Sequence, residues 1–302
     1  MRSTCSWPAP TWASGTTYDA DMSGPIGVYD SGFGGLSVLR ALRARLPEAD
    51  FVYLGDSGRA PYGGRDVHTI LDLAEQCVER LFDEGAAVVI VACHTVSSVA
   101  LRHLQARYGT ERRRVLGVTI PAAERAVGVT RGRIGFLGTA RTVASGTFAT
   151  EVHKLAAVEV IERAAPLLAP IVEEGWEESE VASAAVARYL HLLGEVDTVV
   201  LGCTHYPLLR RAFEGALGPE VTLLDPAPHV AERLVDWVAR HPGFVGAGTG
   251  RLRALTTGEP TRFAELGQRF LGAPLPAVEC LHERDGKLVS GSGGASVGQV
   301  VR

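Results

Sequence analysis

The chain has 302 residues, of which 46% are apolar and 21% charged, so it can bury two ordinary hydrophobic cores or one large one. A formal charge of −4, with no block of Lys or Arg to follow a phosphate backbone, excludes nucleic acid as the expected partner. Its longest apolar runs fall well short of the roughly 20 residues that a membrane helix needs, so no membrane partner is expected either.

Residues 1–24 carry Trp7, Pro8, Pro10 and Trp12 among Ser, Thr and Gly, and lack the cationic start and apolar core of an export signal. They read as a disordered leader, with Met22 as an alternative start of translation. From Pro25 onward, short apolar strands alternate with amphipathic helices. Ile26 to Tyr29 reads as a strand ending in Asp30-Ser31-Gly32-Phe33-Gly34-Gly35, and Leu36, Leu39, Leu42 and Leu46 then recur at helical spacing. Phe51 to Leu54 is the next strand, followed by a turn-rich loop from Gly55 to Gly64 and a helix from Val67 to Glu84.

Ala86 to Ala92 is a continuous apolar run, as suits a strand buried on both faces of a parallel sheet; it ends at Cys93-His94-Thr95, and a helix is expected from Val96 to Tyr108. Strands follow at Arg114 to Val118, Arg133 to Leu137 and Val158 to Glu162, with helices at Ala122 to Val129 and Thr142 to Leu155. A long helix from Glu178 to Leu193 precedes the strand Thr198 to Leu201, which ends at Gly202-Cys203-Thr204-His205. Further strand and helix elements come after Pro219, before a Gly/Ser-rich stretch from Ser290 to Gly298. This alternation implies βαβ units and an α/β fold built on parallel sheets. An apolar strand followed by Cys and a hydroxyl or imidazole residue occurs once in each half of the chain.

Five cysteines, an odd number spread thinly, point to reduced thiols of a cytoplasmic protein rather than a disulfide framework. Cys93 and Cys203 stand at strand ends, where open parallel sheets bind their ligands. A thiol at the start of the following helix is expected to have a lowered pKa and to be reactive. Cys5, Cys77 and Cys280 read as structural. His205, two residues beyond Cys203, can serve as its base or charge partner, and Asp30 brings a carboxylate to the same sheet edge. Ser31 and the glycines after it offer anion-binding N–H groups. Thr95, Thr139, Thr142 and Thr204 lie at comparable junctions, either as helix caps or as ligand contacts.

Several chemistries fit these residues. Two opposed thiols can take a proton from one face of a carbon and return one to the other. Cys203 with His205 can also act as a nucleophile and base in a hydrolase or transferase. Cys93, His94, Cys203 and His205 count as a possible Cys₂His₂ zinc set, and a non-catalytic binding protein is a further reading. A pyridoxal enzyme is disfavoured, because the only lysines are Lys154, in a helix, and Lys287, near the end of the chain.

Ile26 to Val38, Gly55-Asp56-Ser57-Gly58-Arg59-Ala60-Pro61-Tyr62-Gly63, Ala92 to Thr95, Pro166 to Glu174 and Leu201 to Leu209 together resemble the motifs of glutamate racemases, in the same order along the chain. The resemblance implies two pseudo-symmetric α/β domains with the active site in the cleft between them. The first would hold residues 25–117 and 228–272 and the second residues 118–227, with 273–302 as a flexible tail. It also implies catalysis by Cys93 and Cys203 without a cofactor or metal, Asp30 serving the first thiol and His205 the second, with Glu173 in support. Asp30, Ser31, Pro61, Tyr62, Gly63, His94, Thr95, Thr139, Thr142, Thr204 and His205 match glutamate-holding positions. A homodimer supplying D-glutamate for peptidoglycan is the implied setting. His94 departs from the family's usual Asn, Ser57-Gly58 from Thr-Ala, and Phe148 from Tyr. The first of these puts an imidazole where an amide is usual, which bears on substrate identity, and related racemases, isomerases and decarboxylases of other acidic substrates share the superfamily.

Overall fold

In the computed structural model, which describes residues 23–291, the apolar runs assemble into two sheets. The strands are β1 (Ile26–Asp30), β2 (Phe51–Gly55), β3 (Val88–Val91), β4 (Arg114–Gly117), β5 (Arg133–Gly138), β6 (Glu159–Ala164), β7 (Thr198–Gly202), β8 (Thr222–Leu224), β9 (Leu252–Thr256), β10 (Val278–Arg284) and β11 (Lys287–Ser290). One sheet has the order β11-β10-β9-β2-β1-β3-β4 and the other β6-β5-β7-β8. Every neighbouring pair is parallel except β10 with β11.

The order β2-β1-β3-β4 in the first lobe repeats as β6-β5-β7-β8 in the second. The molecule is thus two α/β lobes of shared topology. In each lobe the strand order reverses between the first and third strands, and such a switch point leaves a crevice at the strands' C-terminal ends. β1, β2, β3 and β7 are buried at every residue, as helices on both faces of a sheet require. Several helices carry caps readable in the sequence. The Asp66 carboxylate accepts from the Thr69 N–H at 2.9 Å ahead of helix Val67–Asp83, and Ser179 accepts from the Ala182 N–H at 3.2 Å ahead of helix Glu180–Leu193.

Local details differ from expectation at three helices. The helix expected over 96–108 begins at His94 and breaks at Ala100 into His94–Val99 and Leu101–Tyr108. The one expected over 142–155 breaks at Gly146, whose φ of 60° interrupts the helical path between Ala140–Ala144 and Thr147–His153. A short helix, Leu168–Glu173, occupies a segment in which helical periodicity is too brief to register.

The termini need correction. Gly24, assigned to the leader, forms a parallel bridge with Val245. Residues 273–302, expected as a flexible tail, contain β10 and β11, which pair in antiparallel register and join the first sheet through β9. Asp285 and Gly286 turn the hairpin with φ of 52° and 76°, the mirror-image conformation for which Asp-Gly is favoured. Leu281 and Leu288 from this hairpin are buried in the core beneath helix Val67–Asp83. Cys280 consequently lies in a strand. The leader up to Met22, with Cys5, and the Gly/Ser-rich stretch from residue 292 lie outside the described residues. Among the described residues no helix is long and apolar enough to cross a membrane.

If the hairpin belongs to the core, Leu281→Ala lowers unfolding stability by about 2–5 kcal/mol in denaturant melts, as removal of a buried Leu does. A midpoint unchanged from the parent would return the segment to the status of a tail.

Candidate active site

β1 delivers Asp30 to the cleft with no solvent exposure. Its carboxylate accepts from the Gly32 N–H at 2.9 Å and from the Thr204 hydroxyl of the other lobe at 3.4 Å. Burial pushes the Asp30 carboxyl up, against the opposing pull of His205 and of the Gly32 and Gly35 N–H groups. The turn after Asp30 has to be bare. A side chain on Gly34 would stand 2.3 Å from Thr204 Oγ1 and 2.7 Å from His205 Nδ1, so glycine permits the second lobe to approach this closely.

Cys93 follows β3 as the N-cap of helix His94–Val99, and its Sγ lies 3.4 Å from Ser31 Oγ. The expectation of a lowered pKa is overturned here. Burial pushes the Cys93 thiol up to about 12, with the Asp30 charge adding to the rise, and the Ser31 and Val96 hydrogen bonds only partly oppose it. At this thiol, desolvation outweighs the field of a six-residue helix.

Cys203 occupies the equivalent position after β7, and its surroundings are of opposite character. His205 Nδ1 lies 3.8 Å from Cys203 Sγ, and Nε2 lies 3.0 Å from Glu173 Oε1 at the end of helix Leu168–Glu173. Burial alone would lower the imidazole's pKa; hydrogen bonding to Cys203 and Glu173 overrides it and raises His205 to about 10. Two first-lobe rings wall the imidazole edge-on, Phe33 at 6.3 Å and Phe270 at 5.2 Å between centroids.

Around the thiols, the hydroxyls of Thr95, Thr139 and Thr142 cluster across the lobe boundary. Thr95 Oγ1 lies 3.0 Å from that of Thr139 and 3.2 Å from that of Thr142, which are themselves 2.8 Å apart. The loop bearing Pro61, Tyr62 and Gly63 packs beside them, its Gly63 carbonyl accepting from the Arg141 N–H at 2.9 Å. The Tyr62 side chain is turned into the protein, bonded through its hydroxyl to Asp56 and, at 3.2 Å, to the Tyr29 hydroxyl. Only its main chain is left for a ligand. His94 is 5% exposed, and neither ring nitrogen has a hydrogen-bond partner among the described residues. Burial lowers its pKa to about 4, so the ring is neutral at physiological pH.

The expected residues therefore gather at the facing sheet edges, with Glu173 approaching from the rim, where its side chain is 39% exposed. Cys93, His94, Cys203 and His205 do not form a zinc set, and among the described residues no cluster of three or more His, Cys, Asp or Glu could hold a metal ion. Sequence reading passed over Asp56. This fully buried carboxylate accepts from Arg59 Nε at 2.8 and 3.0 Å and from the Thr257 hydroxyl at 2.6 Å, and so anchors the Pro61–Gly63 loop. The Asp56-Ser57-Gly58-Arg59 spacing was the available signal. Phe33, Arg269 and Phe270, which support His205 and Glu173, gave none.

Residues 36–234 match the family model for Asp/Glu/Hydantoin racemase. A glutamate racemase from Geobacter metallireducens is 40% identical over 259 residues, covering 84% of this chain and 94% of its own length. The structure of a glutamate racemase isoform from Bacillus anthracis superimposes with a TM-score of 0.80 at 34% identity, over 85% of this chain and 97% of that one. A Francisella tularensis glutamate racemase, solved in complex with D-glutamate, gives 0.79 at 27% identity over 87% and 98%. With its duplicated topology and a cysteine at each matching strand end, the chain belongs to the Asp/Glu/Hydantoin racemase family.

Proposed function

We propose that this protein is a glutamate racemase in which Cys93 and Cys203 exchange protons with opposite faces of the substrate α-carbon. The observation that carries the reading is the equivalence of the two thiols, each just beyond the third strand of its own lobe, on sheet edges that meet. An α-proton is weakly acidic and one base cannot reach both faces of a held carbon, so the reaction calls for one group on each side. One sulfur takes the proton as thiolate while the other gives one as thiol. The protein's proton count is unchanged, but the roles of the two sulfurs are exchanged, and a proton must pass between them before the same direction can repeat. Asp30 and Ser31 beside Cys93, and His205 with Glu173 beside Cys203, are the groups suited to hold protons for that exchange.

The hydroxyls of Thr95, Thr139, Thr142 and Thr204 and the main-chain N–H groups of Tyr62 and Gly63 supply donors for the substrate's charged groups and for charge developing at the carbon, with the Pro61 carbonyl as an acceptor, so the reaction draws on no bound electron sink. The ring of His94, without a hydrogen-bond partner among the described residues, is the natural further donor or acceptor, since burying it unpaired costs free energy that a polar ligand would recover. By the family's role, the product D-glutamate feeds peptidoglycan synthesis in the cytoplasm, with the enzyme acting as a homodimer.

Three outcomes test this reading. Replacing Cys93 or Cys203 by Ser should each reduce racemisation of L-glutamate by on the order of 10²–10⁴-fold, the usual worth of one positioned acid or base, measured by optical rotation alongside α-deuterium uptake in D₂O. Full activity in either variant removes the two-thiol mechanism. His94→Ala should raise KM for glutamate by about tenfold or more, the worth of one hydrogen bond to a charged group, with a smaller effect on kcat. An unchanged KM would take His94 out of the substrate site. The third outcome concerns pH. A raised histidine pKa contributes stability that is fully present below the unfolded value near 6.5 and is lost as pH rises through about 10. The Tm difference between parent and Glu173→Gln should therefore be largest near pH 6, shrink steadily as pH rises above about 6.5 and vanish above about 10. A pH-independent difference would disprove the charged pairing.

A further inference from the structure

Helix Pro260–Leu271 lies between β9 and β10 and so belongs to the first lobe, yet two consecutive residues on it reach into the second lobe, one to His205 and one to Val172 and Glu177 on either side of Glu173. Phe270, fully buried, stands edge-on to the imidazole at 5.2 Å. Arg269 Nη2 donates to the Val172 carbonyl at 2.9 Å and to Glu177 Oε1 at 2.6 Å. Val172 immediately precedes Glu173, the last residue of helix Leu168–Glu173.

That helix ends in a tight turn. Gly175, with φ of 76°, donates its N–H to the Val172 carbonyl at 3.1 Å, and the Trp176 N–H donates to the Ile171 carbonyl at 2.9 Å. The guanidinium thus sits on the negative end of the helix and on the carboxylate that follows it. The Arg269–Glu177 pair is about three-quarters buried, with side chains 26% and 22% exposed. The other Glu177 oxygen has no partner among the described residues, so Arg269 is the contact that compensates this carboxylate.

We propose that Arg269 is a positioning residue for the racemase reaction: by clamping the carbonyl end of helix Leu168–Glu173 across the cleft, it sets Glu173 against His205 and assembles the Cys203 acid/base group only when the lobes are together. This rests on the two-thiol reading given above. Glu173 has a 39% exposed side chain, and among the described residues its one hydrogen bond to another side chain is the one to His205, so its place depends on where its helix ends. Among the described residues, the titratable groups that face the His205 ring are Cys203 and Glu173 from its own lobe and Asp30 from the other, and Arg269 and Glu177 act on it through the helix. The Glu173 carboxylate on the far side of the ring holds the proton on the imidazole that faces Cys203 Sγ at 3.8 Å, and loosening the helix end weakens that hold.

The experiment compares alkylation of Cys203 and Cys93 by iodoacetamide in the full chain, read by peptide mass spectrometry from pH 6 to 10. In Arg269→Ala, Cys203 should react about tenfold more slowly at pH 7, because a less firmly held imidazolium favours the reacting sulfur less, while Cys93 is unchanged. Arg269→Lys should recover part of the rate, because it restores the cation without the planar fork. Glu177→Gln should slow Cys203 in the same direction and serves if Arg269→Ala does not fold. Unchanged Cys203 rates in folded Arg269→Ala and Glu177→Gln overturn the proposal. So does equal slowing of both cysteines, the mark of general loosening. Activity retained in Cys203→Ser counts against the two-thiol reading alone, because alkylation does not depend on turnover.

Discussion

Everything in the cleft depends on the contact of two sheet edges at the bare turn after β1. Gly34 leaves room for Thr204 and His205 to lie against the first lobe, and the Thr204 hydroxyl then reaches Asp30. That contact removes a carboxylate and an imidazole from water together. Each desolvation is unfavourable alone, and the attraction between Asp30 and His205, with the N–H groups of Gly32 and Gly35, offsets part of it. The approach also brings Thr95 to Thr139 and Thr142 and seats Arg141 on the Gly63 carbonyl. Thr204, Thr95 and the Gly63 carbonyl would lose these partners if the lobes separated, whereas the Ser31–Cys93 and Cys203–His205–Glu173 contacts each lie within one lobe.

Shared topology places the thiols symmetrically, while their neighbours make them chemically unlike. Cys93 faces a buried carboxylate and a serine hydroxyl, which together with burial hold it as thiol. Cys203 faces an imidazole that keeps its proton well above neutrality. In the proposed reaction one sulfur begins protonated, a role that suits Cys93, whose thiol is held by burial and by the neighbouring Asp30 charge.

Support for the second thiol comes largely from the first lobe. Phe33 and Phe270 wall the imidazole, and Arg269 caps the helix that carries Glu173. On the other side, the buried Asp56 ties the Pro61–Gly63 loop to the strand ends through Arg59 and Thr257. Both arrangements place a charged group behind a loop or helix end that carries site residues, and both derive their strength from low exposure rather than from the number of contacts.

The sequence by itself determined the α/β class, the strand ends at Asp30, Cys93 and Cys203, and the pairing of His205 with the second thiol, because these rest on local periodicity and on spacings of a few residues. The Asp285-Gly286 hairpin was equally local and equally legible; it was passed over because the Gly/Ser-rich stretch beyond it dominates the composition of the C-terminal region. Tertiary structure alone decided the rest. The high pKa of Cys93 arises from burial beside Asp30, more than sixty residues away in the chain, and reverses what the helix start suggested. The inward turn of Tyr62 depends on Asp56 and Tyr29 packing within the first lobe, the lack of a partner for His94 among the described residues on its burial, and the reach of Arg269 and Phe270 into the other lobe on how the two sheets meet. No periodicity encodes that, because the groups concerned become neighbours only when the lobes close.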